Sequence, residues 1–212
     1  MKREIKRINN IYGAVEFAFS FQYLTFSIKP AQVEYEIIKL LEIVKELEPK
    51  LILEIGTAGG GTLFLFSRIA DPEATILSID LPGGAFGGGY PEWKMSLFQG
   101  FAKNGQKIKL LRADSHDLNT LRRVKEILGD ALLDFLFIDG DHTYEGVKRD
   151  FEMYSPLVRK GGIIAFHDIV SGPPENVGGV PEFWNEIKSG YRHLEVVKDW
   201  NQGGYGIGVL YV

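Results

Sequence analysis

The sequence predicts an α/β fold: a seven-stranded, mostly parallel sheet with helices on both faces and a C-terminal antiparallel hairpin. First, short apolar runs alternate with helical patterns along most of the chain, which is typical of βαβ units. Second, these runs are too short for helices, as expected of parallel strands buried on both faces. Third, the last two runs flank residues 201–204, a glycine-containing segment of hairpin length. We expect one domain over residues 1–212, with its core in residues 31–212.

Residues 1–30 differ from the rest of the chain because they are rich in aromatic side chains with only weak periodicity. We interpret this segment as an apolar cap that packs on the core. The alternatives are a lid over a binding site or a contact within a homodimer. The aromatic residues concerned are Phe17, Phe19, Phe21, Tyr23 and Phe26.

The elements of the core follow in order from Pro30. This proline opens a helix with apolar residues at helical spacing, and Pro49 ends it because proline cannot continue the hydrogen-bond ladder. The predicted helices cover 30–48, 62–70, 92–103, 118–128, 144–158 and 181–188, with an interruption near Pro156. The predicted strands cover 51–55, 75–80, 108–113, 133–139, 162–167, 193–200 and 207–211.

The overall composition excludes several classes of partner. The net charge of −4 gives no basic excess for phosphate binding, so we expect no nucleic acid partner. No apolar run approaches the length of a membrane span, so we expect no membrane partner. The chain has no cysteine, which excludes disulfides and thiolate chemistry and is consistent with a cytoplasmic location.

A glycine-rich loop follows the first strand of the predicted sheet and opens a helix. Residues 54–62 include Gly56 and Gly60, and glycine there allows a tight turn and close approach of the backbone to a ligand. Ala58 breaks the G-x-G-x-x-G spacing, and no Walker lysine follows. Asp80 closes the second strand, where a carboxylate can accept hydrogen bonds from ribose hydroxyls. Together these features predict an adenosine-type ligand.

Polar residues also end the third strand. Asp114 and Ser115 lie at the same predicted edge of the sheet, where their side chains can hydrogen-bond an adenine. The alternative interpretation is that they form the N-cap of the helix that starts at Leu118.

Two further strands each end in Asp and His residues that lie close together in the sequence. Asp139 and His142 follow one apolar run, and His167 with Asp168 follow the next. The carboxyl ends of parallel strands form the edge where open α/β sheets bind ligands. Capping of the strand end by Asp is the alternative for either pair alone, but the two pairs beside the glycine loop favour a functional site.

With these residues in place, the chain resembles the class I S-adenosylmethionine-dependent methyltransferases from about Pro30 to Val212. Within them it is most similar to a small bacterial group related to cephalosporin-type and macrolide sugar O-methyltransferases. The similarity is carried by the E-x-G-x-x-x-G start at Glu54, and by residues 87–93, 137–146 and 161–168. It implies a Rossmann-like fold.

The resemblance implies roles for these residues. S-adenosyl-L-methionine would be bound by Glu54, Gly56, Thr57, Gly60, Thr62, Asp80, Asp114, Ser115 and Asp139. A divalent metal would be bound by Asp139, His167 and Asp168, and the catalytic residues would be Asp139 and His142, the latter as general base. The relatives' all-oxygen shell suits Mg²⁺, whereas an imidazole from His167 would favour Mn²⁺ or Zn²⁺. Alternatively His167 is not a ligand and Asp141 completes the shell.

The expected activity is O-methylation of a hydroxylated small molecule, such as a sugar, a polyketide or another natural product. The rival functions are a nicotinamide-dependent oxidoreductase and a noncatalytic binding module with the same fold. The acceptor is expected near residues 82–93, with Phe86, Tyr90 and Trp93 covering it, unless Tyr90 and Trp93 only anchor that loop to the core. A homodimer is expected from the aromatic N-terminal segment.

Overall fold

A computed structural model describes residues 8, 10–24, 26–84 and 88–212 of the chain. Phe86, which sequence analysis assigned to the acceptor site, lies outside these residues. Helix α1 (Ile11–Ser20) is followed by a small antiparallel pair, β1 (Gln22–Tyr23) and β2 (Phe26–Ser27). In the part of the chain that the structure describes, no helix is both long and apolar enough to cross a bilayer.

The remaining seven strands form one sheet. They are β3 (Leu51–Ile55), β4 (Thr75–Asp80), β5 (Lys107–Arg112), β6 (Leu133–Ile138), β7 (Val158–His167), β8 (Arg192–Val196) and β9 (Ile207–Tyr211). Their order is β5-β4-β3-β6-β7-β9-β8. Strands β3 to β7 are parallel, while β9 runs antiparallel to both β7 and β8. The predicted fold class is therefore confirmed.

Helices cover both faces of this sheet. They are α2 (Glu34–Lys45), α3 (Gly61–Ile69), α4 (Lys94–Gln99), α5 (Leu118–Leu128), α6 (Tyr144–Tyr154), α7 (Pro174–Val177) and α8 (Val180–Ile187). Successive strand residues face opposite sides, so Ile52 joins the apolar cluster of α1 to α4 while Leu53 joins that of α5, α6 and α8. The central strands β3, β4 and β6 are thus buried on both faces, which explains their continuous apolar runs.

The N-terminal segment packs on the core as an apolar cap. Ala14, Val15 and Ala18 of α1 are fully buried in the same cluster as α3. The ring of Phe17 lies 5.4 Å from that of Phe64, between centroids. The segment therefore contributes apolar side chains to one face of the molecule.

Three helices are shorter than the sequence predicted. The predicted helix 30–48 spans only Glu34–Lys45, because residues 28–30 run against the backbone of Gly61. The predicted helix 92–103 spans Lys94–Gln99. The predicted helix 144–158 ends at Tyr154 and is followed by a 3₁₀ turn that contains Pro156, which confirms the expected interruption.

Candidate functional site

A cavity of about 870 Å³ opens at the carboxyl-end edge of the sheet. Its volume falls within the range of roughly 300–1,000 Å³ that is usual for small-molecule sites. Residues from five strand ends line it together with the segment before α2. The lining residues relevant to function are Gln32, Gly56, Thr57, Thr62, Asp80, Asp114, Ser115, His116, Asp139, Asp141, His142, His167 and Asp168.

The glycine loop can approach β6 closely only because it lacks a side chain at position 56. Gly56 has φ +96°, and a Cβ there would lie 1.9 Å from the carbonyl oxygen of Asp139. Gly60 has φ +82° but packs against the ring of Phe98 and is not among the cavity-lining residues. The loop therefore needs glycine at both positions, but for different contacts.

Asp80 holds this loop in place. Its Oδ2 accepts hydrogen bonds from the backbone N–H groups of Thr57 (2.9 Å) and Ala58 (2.7 Å). Its Oδ1 accepts from the N–H groups of Leu81 (2.7 Å) and Gly89 (2.9 Å). Burial raises the pKa of Asp80, and the four N–H donors oppose this shift without cancelling it. Because a carboxylate has about four acceptor positions, the ribose contact expected from the sequence requires one of these bonds to be exchanged.

The structure places Glu54 beneath the loop and outside the cavity, which differs from the predicted contact with the cofactor. Its carboxyl group is fully buried and accepts hydrogen bonds from the hydroxyl groups of Thr62 and Ser78. Burial raises the pKa of Glu54 to about 8, although both hydroxyl groups oppose this shift. Glu54 therefore joins β3, β4 and α3 under the loop and is largely uncharged at neutral pH.

This burial gives a testable prediction for the Glu54→Gln variant. Since the folded-state pKa is raised from 4.5 to about 8, the wild-type protein loses stability as the pH rises from about 4.5 to 8. The variant should lack this part of the pH dependence and should match the wild type within about 1 kcal/mol near pH 4.5. Urea unfolding of both proteins between pH 4.5 and 8 measures the difference. Parallel pH profiles would contradict the buried, neutral Glu54.

The third strand end contributes a histidine that sequence analysis missed. The N-cap of α5 is Asp117, not Asp114, so the capping interpretation of Asp114 is wrong. Instead Asp114 accepts a hydrogen bond from the backbone N–H of His116 (2.8 Å), and His116 lines the cavity. The Nε2 atom of His116 lies 3.3 Å from the buried carboxylate of Asp150, which raises the pKa of the imidazole. The signal was available, because His116 follows a polar strand end just as His142 does.

Asp139 is the centre of the Asp/His cluster. Its Oδ1 faces the Nδ1 of His167 at 3.1 Å and the Nε2 of His142 at 3.4 Å. Burial alone would raise the pKa of Asp139, but the two imidazoles hold it well below its usual range. Burial likewise opposes a charge on His142, yet Asp139 outweighs this and raises the pKa of His142 to about 9. The pKa of His167 is raised in the same way, because Asp139 outweighs the burial of its imidazole, so the carboxylate and the two imidazoles favour each other's charged forms.

The group that could bind a metal differs from the predicted one. Ligand atoms of Asp139, His142 and Asp168 lie within 4.8 Å of one another. His167 lines the cavity, but its Nδ1 points at carboxylate oxygens of Asp139 and Asp168, as in a hydrogen-bond donor. Asp141 accepts a hydrogen bond from the N–H of Thr143, the N-cap residue of α6. The predicted set with His167 therefore stays a prediction, and the described residues add His142 as a candidate ligand.

Backbone contacts position His142 and Asp168. The Nδ1 of His142 lies 2.6 Å from the carbonyl oxygen of Asn176, so Nδ1 carries a proton and Nε2 faces Asp139. Asp168 adopts φ +63°, an uncommon conformation for a residue other than glycine, and its Oδ1 accepts from the N–H of Tyr205 (3.0 Å). The short helix α7, which carries Asn176, therefore fixes which nitrogen of His142 is available.

Gln32 is a second site residue that sequence analysis missed. It comes from the segment between β2 and α2, and its Nε2 donates a hydrogen bond to Oδ2 of Asp139 at 2.7 Å. No local pattern marks it, because the two residues are 107 positions apart. Of the predicted acceptor-site aromatics, Tyr90 is buried against Phe98 and anchors the loop, whereas the side chain of Trp93 is 63% exposed beside Phe26.

Comparison with known proteins identifies the family. Residues 53–169, more than half of the chain, match the family model described as "Methyltransferase domain". The uncharacterized protein y4gI of Sinorhizobium fredii is 28% identical over 149 residues, which cover 68% of this chain and 16% of that protein. Catechol O-methyltransferase B of Danio rerio is 24% identical over 151 residues, 69% of this chain and 50% of that protein. The chain thus spans half or less of these two relatives.

Solved structures agree on the fold. The O-methyltransferase of Bacillus cereus, solved in complex with S-adenosylhomocysteine, has a TM-score of 0.61 at 18% identity. The alignment covers 100% of this chain and 90% of that structure. The resemblance to class I methyltransferases seen in the sequence is therefore confirmed, and the chain belongs to the methyltransferase domain family.

Proposed function

We propose that the protein is an S-adenosylmethionine-dependent O-methyltransferase that acts on a hydroxylated small molecule. The observation that carries this proposal is the contact between the glycine loop at Gly56 and the strand end at Asp139. This contact puts the glycine loop next to a cluster of acid and base side chains. The family match and the methyltransferase relatives support the same activity.

The residues of the cavity fit the cofactor. One surface of the cavity combines backbone and a carboxylate. It is lined by the backbone of Gly56, by the loop at Ala58 and Gly59, and by the side chain of Asp80. Asp114, Ser115 and His116 would face the adenine at the far end of this surface. They follow β5, which is separated from β3 by β4. When bound, S-adenosylmethionine supplies a methyl group on a positively charged sulfur.

The cluster residues would orient the acceptor and move its proton. Alignment of an acceptor oxygen with the methyl carbon can lower the barrier by several kcal/mol. The Nε2 of His142 is the atom that would take the hydroxyl proton, because Nδ1 is committed to the Asn176 carbonyl. Asp139 raises the pKa of His142 to about 9, so His142 carries a proton at neutral pH and cannot accept another. It becomes a base only when the pH approaches 9, or when Asp139 binds another positive group and no longer raises this pKa.

A divalent cation on Asp139, His142 and Asp168 would be an alternative way to activate the acceptor. Two carboxylates and one imidazole form a mixed oxygen and nitrogen set, which suits Mn²⁺ or Zn²⁺ better than Mg²⁺. A bound cation would lower the pKa of an acceptor hydroxyl. His142 would then serve as a ligand, and the proton would leave by another group of the cavity.

The remaining expectations are that residues 1–212 act as one methyltransferase domain, that the chain forms a homodimer, and that it works in the cytoplasm. The homodimer is supported by exposed aromatic side chains of the N-terminal segment, Tyr12 and Tyr23. Analytical ultracentrifugation would measure the oligomeric state.

Calorimetry tests the proposed function directly. We expect S-adenosylmethionine and S-adenosylhomocysteine to bind the wild-type protein with 1:1 stoichiometry, and we expect no binding of NADH. Binding of NADH, with no heat from either sulfur ligand, would favour the oxidoreductase. No binding of any of the three would contradict an enzyme of either class.

A further inference from the structure

Gln32 lies where the N-terminal segment crosses the open edge of the sheet. Residues 29–32 line the cavity, and the backbone of this segment packs against Gly59 and Gly61 of the glycine loop. The side chain of Gln32 spans from this segment to Asp139, and the residue is only 4% exposed. Gln32 is thus buried between the glycine loop and the Asp/His cluster.

The orientation of the Gln32 amide is fixed by its partner. The amide nitrogen Nε2 donates to Oδ2 of Asp139 at 2.7 Å, so this end of the amide faces Asp139. The amide oxygen, Oε1, therefore points the other way. Among the described residues, no donor reaches this buried oxygen. A buried acceptor without a donor is destabilising, and most such groups in proteins have a partner.

The surroundings of Gln32 indicate which donor could complete its hydrogen bonding. The glycine loop beside Gln32 would hold the methionine portion of the cofactor, whose α-ammonium group has three N–H donors and no acceptor. Such a group can donate to Oε1 without competing for the bond between Gln32 and Asp139.

We propose that Gln32 is a cofactor-binding residue whose Oε1 accepts a hydrogen bond from the α-ammonium group of S-adenosylmethionine. This inference rests on the proposed function. Because the same amide donates to Asp139, Gln32 joins cofactor binding to the orientation of the catalytic cluster. Gln32 would thus position Asp139 through Nε2 and bind the cofactor through Oε1.

The test compares two ligands that differ only in the ammonium group. These are S-adenosylhomocysteine and S-adenosyl-4-thiobutyric acid, which keeps the carboxylate but lacks the amine. We expect Gln32→Met to weaken S-adenosylhomocysteine about tenfold, as for loss of a hydrogen bond to a charged group. The affinity for the amine-free analogue should change less than about twofold. The exposed Gln99→Met variant of α4 is the matched control and should bind both ligands like the wild type.

The outcomes separate this inference from the proposed function. If wild type does not bind S-adenosylhomocysteine, both are overturned. If it binds and Gln32→Met weakens both ligands equally, or neither, only the role of Gln32 is overturned. An effect confined to the KM of the acceptor would also overturn it, because Oε1 would then meet an acceptor hydroxyl. If the variant does not fold, a wild-type crystal structure with S-adenosylhomocysteine decides. A distance of about 2.7–3.2 Å from Oε1 to the α-nitrogen supports the proposal, and a longer one overturns it.

Discussion

The Gly56→Ala variant should lose about 3 kcal/mol of unfolding free energy and most of its affinity for S-adenosylhomocysteine. The new Cβ would lie 1.9 Å from the carbonyl oxygen of Asp139, a backbone atom that cannot rotate away. Alanine is also strained at φ +96°. Overpacking by one methyl group costs about 1–3 kcal/mol, and the backbone strain adds about 1 kcal/mol more.

The affinity falls because the loop must move away from β6. Gly56 donates its N–H to the carbonyl oxygen of Ile79, and Thr57 and Ala58 are bonded to Asp80, so the shift would spread to these contacts. Urea unfolding and calorimetry measure the two effects. Gly190→Ala is the matched control, because a Cβ there meets no atom within 4 Å. Wild-type affinity in the Gly56→Ala variant would mean that the loop does not hold the ligand.

The Asp139→Ala variant of the metal-free protein should be less stable by about 3 kcal/mol at pH 5.5. The substitution removes the carboxylate that lies between His142 and His167, and both imidazoles are buried. Without that partner the imidazoles either stay charged in a poorly solvated site or give up their protons. Both alternatives are costly relative to the wild type.

The size of this difference should depend on pH in a defined direction. The pKa of His142 is raised from 6.5 to about 9, so the stabilisation is fully present below pH 6.5 and is lost as the pH rises to about 9. The pKa of Asp139 is lowered, so on the acid side the stabilisation is present above about pH 3.8 and is lost as the pH falls further. The wild-type advantage should thus be largest between about pH 4 and 6.5.

Urea unfolding at pH 5.5 and 9.5 measures this change, with the exposed Asp130→Ala variant as control. An equal difference in unfolding free energy between wild type and Asp139→Ala at both pH values would show that Asp139 does not raise the pKa of the histidines. The same variants test the metal site. At 100 times its dissociation constant, Mn²⁺ or Zn²⁺ should stabilise wild type and Asp130→Ala by about 2.7 kcal/mol but leave Asp139→Ala unchanged. Equal stabilisation of all three would place the ion elsewhere.

Much of the site could be predicted because it depends on strand ends. Asp80, Asp139 and His167 each follow a buried apolar run, and parallel strands bring such residues to one edge whatever the details of packing. The glycine loop could be predicted for a similar reason, since Gly56 marks a tight turn after a strand. These inferences need only the local period of the sequence and the handedness of βαβ units.

Helix bounds and partner choice could not be predicted in the same way. The helix expected to start at Pro30 starts at Glu34, because the preceding residues lie against Gly61 in another part of the chain. Glu54 follows the family pattern for a cofactor contact, yet hydroxyl groups from α3 and β4 hold it below the loop. In both cases a tertiary contact overrides a correct local pattern.

By itself, the sequence determined the seven-stranded α/β fold, the edge of the sheet that carries the site and the acidic and imidazole groups at that edge. Burial on both faces and the positions of strand ends are local properties, so they can be read from residue order. Only the tertiary structure decided that Asp139 is bonded to Gln32 and that both His142 and His167 face its carboxyl group. Those choices depend on hydrogen-bond directions between residues up to 107 positions apart, which no local pattern encodes.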